Sequence, residues 1–205
     1  AKSILEMAAE RGLATGVVTT TTVTHATPAS AYAHIHHRDL EQDIAAQLLA
    51  PRFGQIPDLI LGGGRQFFLP AGAADPEYPD QRGLRADGRD LTAELAARGH
   101  AYVWNETQLE AIVPAAGTRV LGLFEPSHLL FEKVRSTAPV AEPSLARMTE
   151  FAIDVLSRDR EGFFLLVEGG RIDHALHVNN VEYALREAAM FDDARGALIG
   201  ADGRE

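Results

Sequence analysis

The fold class is indicated by residues 144–177, which read "SLARMTEFAIDVLSRDREGFFLLVEGGRIDHALH". The first part, residues 144–158, has apolar side chains at the spacing of an amphipathic helix. The run "GFFLLV" at 162–167 is short and almost wholly apolar, which is typical of a strand buried on both faces. A helix that leads directly into such a strand is the repeating unit of an α/β protein.

The same alternation continues along the chain on the N-terminal side of this stretch. Strands that alternate with helices usually pair in parallel, so the sequence predicts a doubly wound, largely parallel sheet with helices on both faces. Residues 1–205 are predicted to form a single α/β domain that is incomplete at both ends. Helices are predicted at 3–12, 40–50, 90–100 and 179–200, and strands at 15–23, 57–64, 101–105 and 118–124.

The composition argues against several classes of partner and site. Of the 205 residues, 46% are hydrophobic, which is enough for a sizeable core. The net charge of −10, without a cluster of Lys and Arg, argues against a nucleic-acid-binding surface. No apolar stretch approaches the roughly 18–20 residues of a membrane span. The absence of cysteine excludes disulfides and thiolate metal ligands.

One segment, residues 69–90, breaks the alternation of helices and strands. It reads "LPAGAADPEYPDQRGLRADGRD" and has no apolar period. Loops of this length are uncommon in compact domains and are usually functional or disordered. The segment is therefore predicted to be a long loop that is either functional or disordered.

Two polar clusters follow strands of the predicted sheet. They are "THATPASAYAHIHHR" at 24–38 and "EGGRIDHALH" at 168–177. Ligands of doubly wound sheets bind beyond the carboxyl ends of the strands. If the two strands are neighbours in the sheet, both clusters lie at the same edge.

The second cluster has residue types that suit divalent metals. Asp173 and His177 are four apart, so a helical turn places them on one side, where they suit Zn²⁺. Glu168 ends the apolar run and could serve a neighbouring ion. A carboxylate joined by a hydroxyl such as that of Thr27 makes an oxygen-rich site of the kind that Mg²⁺ prefers. Alternatively, Asp173 caps the following helix and His177 is a surface residue.

The first cluster offers a cation for an anionic ligand. Arg38 can present a planar fork to a phosphate or carboxylate, although most arginines are simply surface residues. His25 and Thr27 bracket Ala26 just past a strand, where alternate side chains are expected to point the same way. Nearby residues without a predicted chemical role are the solvated histidines His34, His36 and His37 and the glycine turn at 62–65.

Six segments of this sequence, taken together, resemble the alkaline phosphatase family in order and approximate spacing. The His-Ala-Thr-Pro and "GLFEP" segments are most similar to its animal-type branch, which also has bacterial members. The resemblance covers almost all of the chain. The segments are "ATGVVTTTTVTHATPASAYAHIHHR", "DLILGGGRQFF", "DPEYPD", "YVWNETQL", "LGLFEP" and "GFFLLVEGGRIDHALH".

The resemblance implies a homodimeric metalloenzyme with two Zn²⁺ and one Mg²⁺ per active site. Such an enzyme hydrolyses small phosphate monoesters through a phosphoserine intermediate. Matched position by position, the resemblance implies that Glu168 and Thr27 are Mg²⁺ ligands, with His25 at or beside that site. Asp173 and His177 match two Zn²⁺ ligands. Arg38 matches the arginine that clamps the phosphate, and His174 matches a residue that contacts it indirectly.

The resemblance to the animal-type branch also implies a calcium site. Its pattern falls on Glu77, the carbonyl of Phe124, Glu125 and Glu142, a set of oxygen donors that suits Ca²⁺. Such a site would join the loop at 69–90 to residues 120–145. The alternative is three solvated loop acids. The sequon at Asn105 matters only if the protein is secreted by a eukaryote.

The family's nucleophilic serine and remaining zinc ligands match no motif in this chain. The resemblance places them before residue 1 and after residue 205, so the chain is expected to be an interior piece with little or no activity alone. It also implies an exported protein. The alternatives are a phosphodiesterase or sulfatase on the same scaffold, and a metal-binding chain without catalysis.

Overall fold

A parallel five-stranded sheet lies at the centre of the protein. The computed structural model describes residues 1–137 and 142–200, with the backbone alone for 197–200. Every paired strand in the described residues is parallel to its neighbour, and the spatial order is β3-β4-β2-β1-β5. The predicted α/β class is therefore confirmed. The strands are β1 (Ala14–Thr22), β2 (Leu59–Gly63), β3 (Ala101–Val103), β4 (Val120–Leu123) and β5 (Phe163–Glu168).

The predicted helices form, and several begin at side chains that cap them. Ser3 and Glu6 make a reciprocal capping box, and the side chain of Ser144 accepts a hydrogen bond from the Arg147 N–H. None of the helices in residues 1–137 and 142–200 is long and apolar enough to cross a membrane. The helices are α1 (Ile4–Glu10), α2 (Ala26–Ser30), α3 (Glu41–Leu49), α4 (Leu91–Ala96), α5 (Glu106–Glu110), α6 (Glu132–Arg135), α7 (Leu145–Leu156), α8 (Arg171–His177) and α9 (Val181–Gly200).

Both faces of the sheet are covered, and β2 shows this residue by residue. Leu59 and Leu61 pack in one buried cluster with side chains of α7 such as Met148. Ile60 points to the opposite face, where it packs with Ile44 of α3 and neighbours from α4. Because alternate residues of a strand point to opposite faces, two separate cores require the nearly continuous apolar run seen in the sequence.

The loop at 69–90 is held against the rest of the protein by two buried arginines. The fully buried Arg65 donates to both oxygens of Asp75, at 2.6 and 2.8 Å, and to the carbonyl oxygen of Leu123 at 2.8 Å. Arg85 donates to the backbone carbonyl of Gln42 at 2.7 Å. These contacts join the loop to the end of β4 and to α3.

Two local predictions need correction. His34 is half-buried, not solvated, because its Nε2 lies 2.7 Å from a carboxylate oxygen of the buried Glu6. The segment predicted as a strand at 101–105 ends at Val103, because Asn105 accepts a hydrogen bond from the Gln108 N–H and begins α5. Both predictions failed because these contacts cannot be recognised from the local pattern of apolar residues.

Candidate functional site

The carboxyl ends of β1 and β5 lie side by side, as the two polar clusters require. Glu168 is the last residue of β5 and lies opposite Thr19 in the parallel register. Its Oε2 accepts hydrogen bonds from the hydroxyls of Thr19 at 2.6 Å and Thr21 at 3.3 Å. The carboxylate is thus held in one orientation by β1.

The glycine pair after Glu168 allows a close approach of two chain segments. A Cβ atom on Gly170 would lie 2.4 Å from the methyl group of Thr21 and 3.1 Å from the carboxyl carbon of Glu168. The next residue, Arg171, donates its backbone N–H to the hydroxyl of Thr20 at 3.1 Å. Glycine is needed at 170 because any side chain would separate α8 from β1.

Asp173 and His177 lie on one side of α8, as their spacing predicts. His177 Nε2 is 3.3 Å from an Asp173 carboxylate oxygen, and the two side chains are 76% and 69% exposed. An exposed ion pair of this kind contributes little to stability. His177 is thus a surface residue, as the alternative had it, Asp173 does not cap α8, whose N-cap is Gly170, and the metal role of the pair stays a prediction.

Three imidazoles, from His25, His128 and His174, meet at this edge and are called here the histidine cluster. The ring centroids of His128 and His174 are 4.5 Å apart. His25 lies edge-on to both, at 5.5 Å from His128 and 5.4 Å from His174. Each ring comes from a different segment, so the cluster joins the loops that follow β1, β4 and β5.

Every imidazole of the histidine cluster accepts one hydrogen bond. Arg38 donates to Nε2 of His25 at 2.8 Å, and Arg171 donates to Nδ1 of His174 at 2.9 Å. The backbone N–H of Thr22 donates to Nδ1 of His128 at 2.9 Å. A guanidinium and a backbone N–H can only donate, so these contacts assign the tautomer of each neutral ring.

Burial and nearby cations keep two of these rings neutral. Burial lowers the pKa of His128 to about 3, and the charges of His174, Arg171 and His25 act in the same direction. Burial, followed by the charge of Arg171, also lowers the pKa of His174. At neutral pH these rings are therefore uncharged and add no positive charge beside the guanidinium groups.

His25 has one ring atom that lacks a partner. Its Nδ1 is buried and, among the described residues, makes no hydrogen bond. Since Nε2 accepts from Arg38, Nδ1 carries the hydrogen. A buried donor without an acceptor is costly, so this atom suits an oxygen ligand or a metal-bound water at the site.

Thr27 lies apart from Glu168 in the hydrogen-bond network of the described residues. The helix α2 begins at Ala26 with His25 as its N-cap, so the backbone at 25–27 does not keep the extended form that the alternation argument assumed. The side chain of Thr27 is exposed. Glu168, by contrast, accepts hydrogen bonds from the hydroxyls of Thr19 and Thr21.

Sequence reasoning missed His128 and Arg171, which are central to the cluster. Arg171 donates to His174 and lies over the ring of Phe131, 3.7 Å from its centroid. Both residues obey the rule used for the others, because each closely follows the carboxyl end of a strand, β4 for His128 and β5 for Arg171. The same rule applied to the segment after β4 would have found His128.

A second group of acids, Glu77, Glu125 and Glu142, is called here the acidic cluster. The hydroxyl of Tyr78 donates to Glu125 at 2.6 Å, which joins the loop at 69–90 to the segment after β4. Arg65 donates to Glu77 at 3.2 Å. Glu125 and Glu142 are buried and Glu77 is partly buried, so the three acids are not simply solvated, and residues 138–141 of the predicted region lie outside the described residues.

Burial makes the acidic cluster unfavourable without a cation or a proton. Burial raises the pKa of Glu142 to about 9, and the neighbouring Glu125 contributes in the same direction. Burial also raises the pKa of Glu125. One carboxylate oxygen of Glu142 is buried and has no hydrogen-bond partner among the described residues. A bound Ca²⁺ would satisfy this set of oxygen donors.

No metal cluster is complete in residues 1–137 and 142–200. The described part of the chain has no group of three or more His, Asp or Glu side chains arranged to hold one ion. Asp173 and His177 supply two donors, and structural zinc sites need four. The residues therefore fit part of a metal site.

The comparisons with known proteins agree on one family. Residues 1–202 match the family model described as alkaline phosphatase. The chain is 43% identical to the tissue-nonspecific isozyme of alkaline phosphatase from Gallus gallus, covering 95% of this chain and 41% of that protein. It is also 43% identical to the alkaline phosphatase of Gadus morhua, with 95% and 44% covered. The chain thus spans less than half the length of these curated relatives.

Solved structures give the same result. The crystal structure of Thermus thermophilus alkaline phosphatase superposes with a TM-score of 0.82 at 38% identity, covering 96% of this chain and 38% of that one. The alkaline phosphatase of the Antarctic bacterium TAB5 gives a TM-score of 0.78 at 31% identity, with 96% and 51% covered.

Proposed function

Because this chain belongs to the alkaline phosphatase family, we propose that the whole protein hydrolyses phosphate monoesters in a metal-dependent reaction. The observation that carries the proposal is the meeting of the two polar clusters at one edge of the sheet. Arg38 donates to His25, and the ring of His25 lies against that of His174 in α8. An anion-binding guanidinium is thereby linked to the helix that carries Asp173 and His177.

Arg38 is proposed to bind the phosphoryl group. Its guanidinium is exposed and can offer a planar fork to two oxygens of a dianionic terminal phosphate. His174 would support the same oxygens from the other side, with its tautomer fixed by Arg171. A monoester suits this arrangement better than a diester or a sulfate ester, because it carries one more negative charge for these donors.

The metal ligands follow from the chemistry of the donors. Glu168 and Thr27 would hold Mg²⁺, with His25 beside that site, and the contacts of Glu168 with two threonine hydroxyls support an oxygen-rich environment. Asp173 and His177 would supply two ligands of one Zn²⁺. When bound, such ions neutralise charge on the ester oxygens and favour deprotonation of a hydroxyl nucleophile.

The nucleophile is proposed to be a serine outside these 205 residues. Its oxygen would form a bond to phosphorus while the bond from phosphorus to the ester oxygen breaks, and the alcohol would leave with a proton. Water would then cleave the phosphoserine. These residues alone are therefore expected to bind phosphate weakly and to turn over little or no substrate.

The remaining parts of the family resemblance are proposals of the same kind. The acidic cluster, with the carbonyl oxygen of Phe124, is proposed to bind Ca²⁺. The buried and unpartnered oxygen of Glu142 supports this assignment. Homodimerisation and export, which the resemblance also implies, stay predictions.

The proposal is tested with the purified whole protein, supplied with Zn²⁺ and Mg²⁺. Its rates on a phosphate monoester, a diester and a sulfate ester of the same aryl alcohol are compared. The monoester should be hydrolysed fastest, and Arg38→Ala should raise its KM. A protein that prefers the diester or the sulfate ester, or hydrolyses none of the three, contradicts the proposal.

A further inference from the structure

His128 enters the histidine cluster from a third strand end. His25 follows β1 and His174 lies in α8 after β5, whereas His128 follows β4. Its ring lies 4.5 Å from His174 and 5.5 Å from His25, centroid to centroid. It is therefore in contact with both rings that the proposed function uses.

The backbone beneath His128 is held on both sides. The carbonyl oxygen of Ser127 accepts a hydrogen bond from the Gly64 N–H at 2.7 Å, and the Leu129 N–H donates to the Thr20 carbonyl at 3.1 Å. A Cβ atom on Gly63 would lie 2.0 Å from the Ser127 oxygen, so only glycine permits this approach. The position of His128 is thus set by contacts with β1 and with the glycine turn after β2.

The ring orientation of His128 is fixed as well. Nδ1 accepts from the Thr22 N–H at 2.9 Å, so the hydrogen of the neutral ring is on Nε2. Thr22 is the last residue of β1, which also carries Thr19 and Thr21, the partners of Glu168. One strand therefore orients both the Glu168 carboxylate and the His128 ring.

We propose that His128 is a positioning residue for phosphate binding. Its locked ring packs against His174 and His25 and keeps both in place, and through His25 it orients the Arg38 guanidinium. This inference rests on the proposed function. The inference adds His128, in the segment after β4, as a residue that acts without touching the substrate.

The test compares His128→Ala and His128→Asn in the whole protein. Asparagine keeps an acceptor for the Thr22 N–H but removes the ring. Both variants should raise the KM for a phosphate monoester and the calorimetric Kd for inorganic phosphate by about tenfold, since small misplacements of positioning groups are costly. The change in kcat should be smaller than the change in KM.

A matched control removes a buried imidazole at the other end of the sheet. His100 is 2% exposed and contacts the Pro57 carbonyl at 3.0 Å, just before β3. His100→Asn should lower Tm and leave KM and the phosphate Kd unchanged. This variant separates a loss of stability from a loss of positioning.

Several outcomes would overturn the inference. Wild-type KM and Kd in His128→Asn would show that only the hydrogen bond to Thr22 matters, and unchanged values in His128→Ala would exclude any role. ¹⁵N NMR should show the hydrogen of the His128 ring on Nε2. A hydrogen on Nδ1 would show that this atom does not accept from the Thr22 N–H, and the ring would then not be fixed as proposed. A wild-type protein without monoesterase activity would instead refute the proposed function, and this inference with it.

Discussion

The histidine cluster and the acidic cluster are both partly buried, but they differ in how their hydrogen-bonding atoms and charges are satisfied. In the histidine cluster each ring accepts a hydrogen bond from an arginine or a backbone N–H. In the acidic cluster, Glu142 keeps a buried oxygen without a partner among the described residues, and burial raises its pKa to about 9. The first region keeps one buried donor, Nδ1 of His25, without a partner among the described residues and presents arginine cations to an anion, whereas the second has a buried acceptor that needs a proton or a cation.

The largest expected effect comes from the ion pair that holds the loop beside the acidic cluster. Asp75→Asn leaves the fully buried Arg65 without its main counter-charge, so the free energy of unfolding should fall by about 3–5 kcal/mol. Denaturant unfolding of the whole protein measures this change.

The matched control for Asp75→Asn is Asp154→Asn, which breaks an exposed pair with Arg158. It should change the free energy of unfolding by less than about 1 kcal/mol. Equal effects of the two substitutions would show that the buried Arg65 pair is not what holds the loop at 69–90.

The next largest effect is expected at Glu168. Glu168→Gln keeps the shape of the side chain but removes the charge that Thr19 and Thr21 orient, so monoester hydrolysis should fall by about 100-fold or more, as for a disrupted metal site. The bound Mg²⁺, measured by elemental analysis, should fall with it.

Glu161→Gln serves as the control for Glu168→Gln, because Glu161 is exposed just before the other end of β5. It should leave both rate and Mg²⁺ content unchanged. If Glu168→Gln keeps its full rate and Mg²⁺ content, the carboxylate at the end of β5 is not a metal ligand.

The acidic cluster is expected to respond to pH in a defined direction. Glu142 has an ordinary pKa of 4.5, raised by burial to about 9, so between these values the folded protein binds more protons than the unfolded chain. Without Ca²⁺, stability should therefore fall as the pH rises from about 4.5 to 9. Glu142→Gln should flatten this profile and be more stable than the wild type at pH 8.

Calcium sharpens the prediction for Glu142. Added Ca²⁺ should raise the Tm of the wild type at pH 8, because a ligand that binds only the folded state stabilises it. Glu142→Gln should lose most of this shift. If added Ca²⁺ leaves the Tm of the wild type unchanged, the acidic cluster does not bind this ion. If the stability of the wild type without Ca²⁺ rises between pH 4.5 and about 9, the pKa of Glu142 is not raised.

A smaller effect is expected from the hydroxyl that orients Glu168. Thr19→Val removes the 2.6 Å hydrogen bond but keeps the branched shape and the carboxylate itself. Mg²⁺ affinity should fall by about tenfold, the lower end for loss of an outer partner of a metal ligand. Calorimetric titration with Mg²⁺ measures the change in affinity. The control is Thr149→Val, because Thr149 is a buried threonine in α7, and it should leave the Mg²⁺ affinity unchanged.

Much of the fold could be predicted because its signals are local. Ser3 and Ser144 cap their helices through contacts only three residues away, and the apolar run of β5 reports its own burial. The spacing of Asp173 and His177 likewise fixes their relation within one helix. Such features require no knowledge of which segments meet.

Contacts between distant segments could not be predicted in the same way. The pair formed by Glu6 and His34, and the meeting of His128 with His174, depend on how helices and loops pack over the sheet. At Thr27 the alternation of side chains expected after β1 does not hold, because α2 begins just before this residue, and its role as a Mg²⁺ ligand stays a prediction. Residue type and position identified the edge of the sheet but not every residue that reaches it.

The central claim is that Glu168, Asp173 and His177 gather divalent cations beside the guanidinium of Arg38. It is tested most directly by anomalous diffraction at the zinc edge from crystals of the whole protein grown with Zn²⁺, Mg²⁺ and phosphate. The account predicts a zinc peak between the Asp173 carboxylate and the imidazole of His177, with phosphate bound to Arg38. Zinc bound elsewhere, or phosphate away from Arg38, would contradict it.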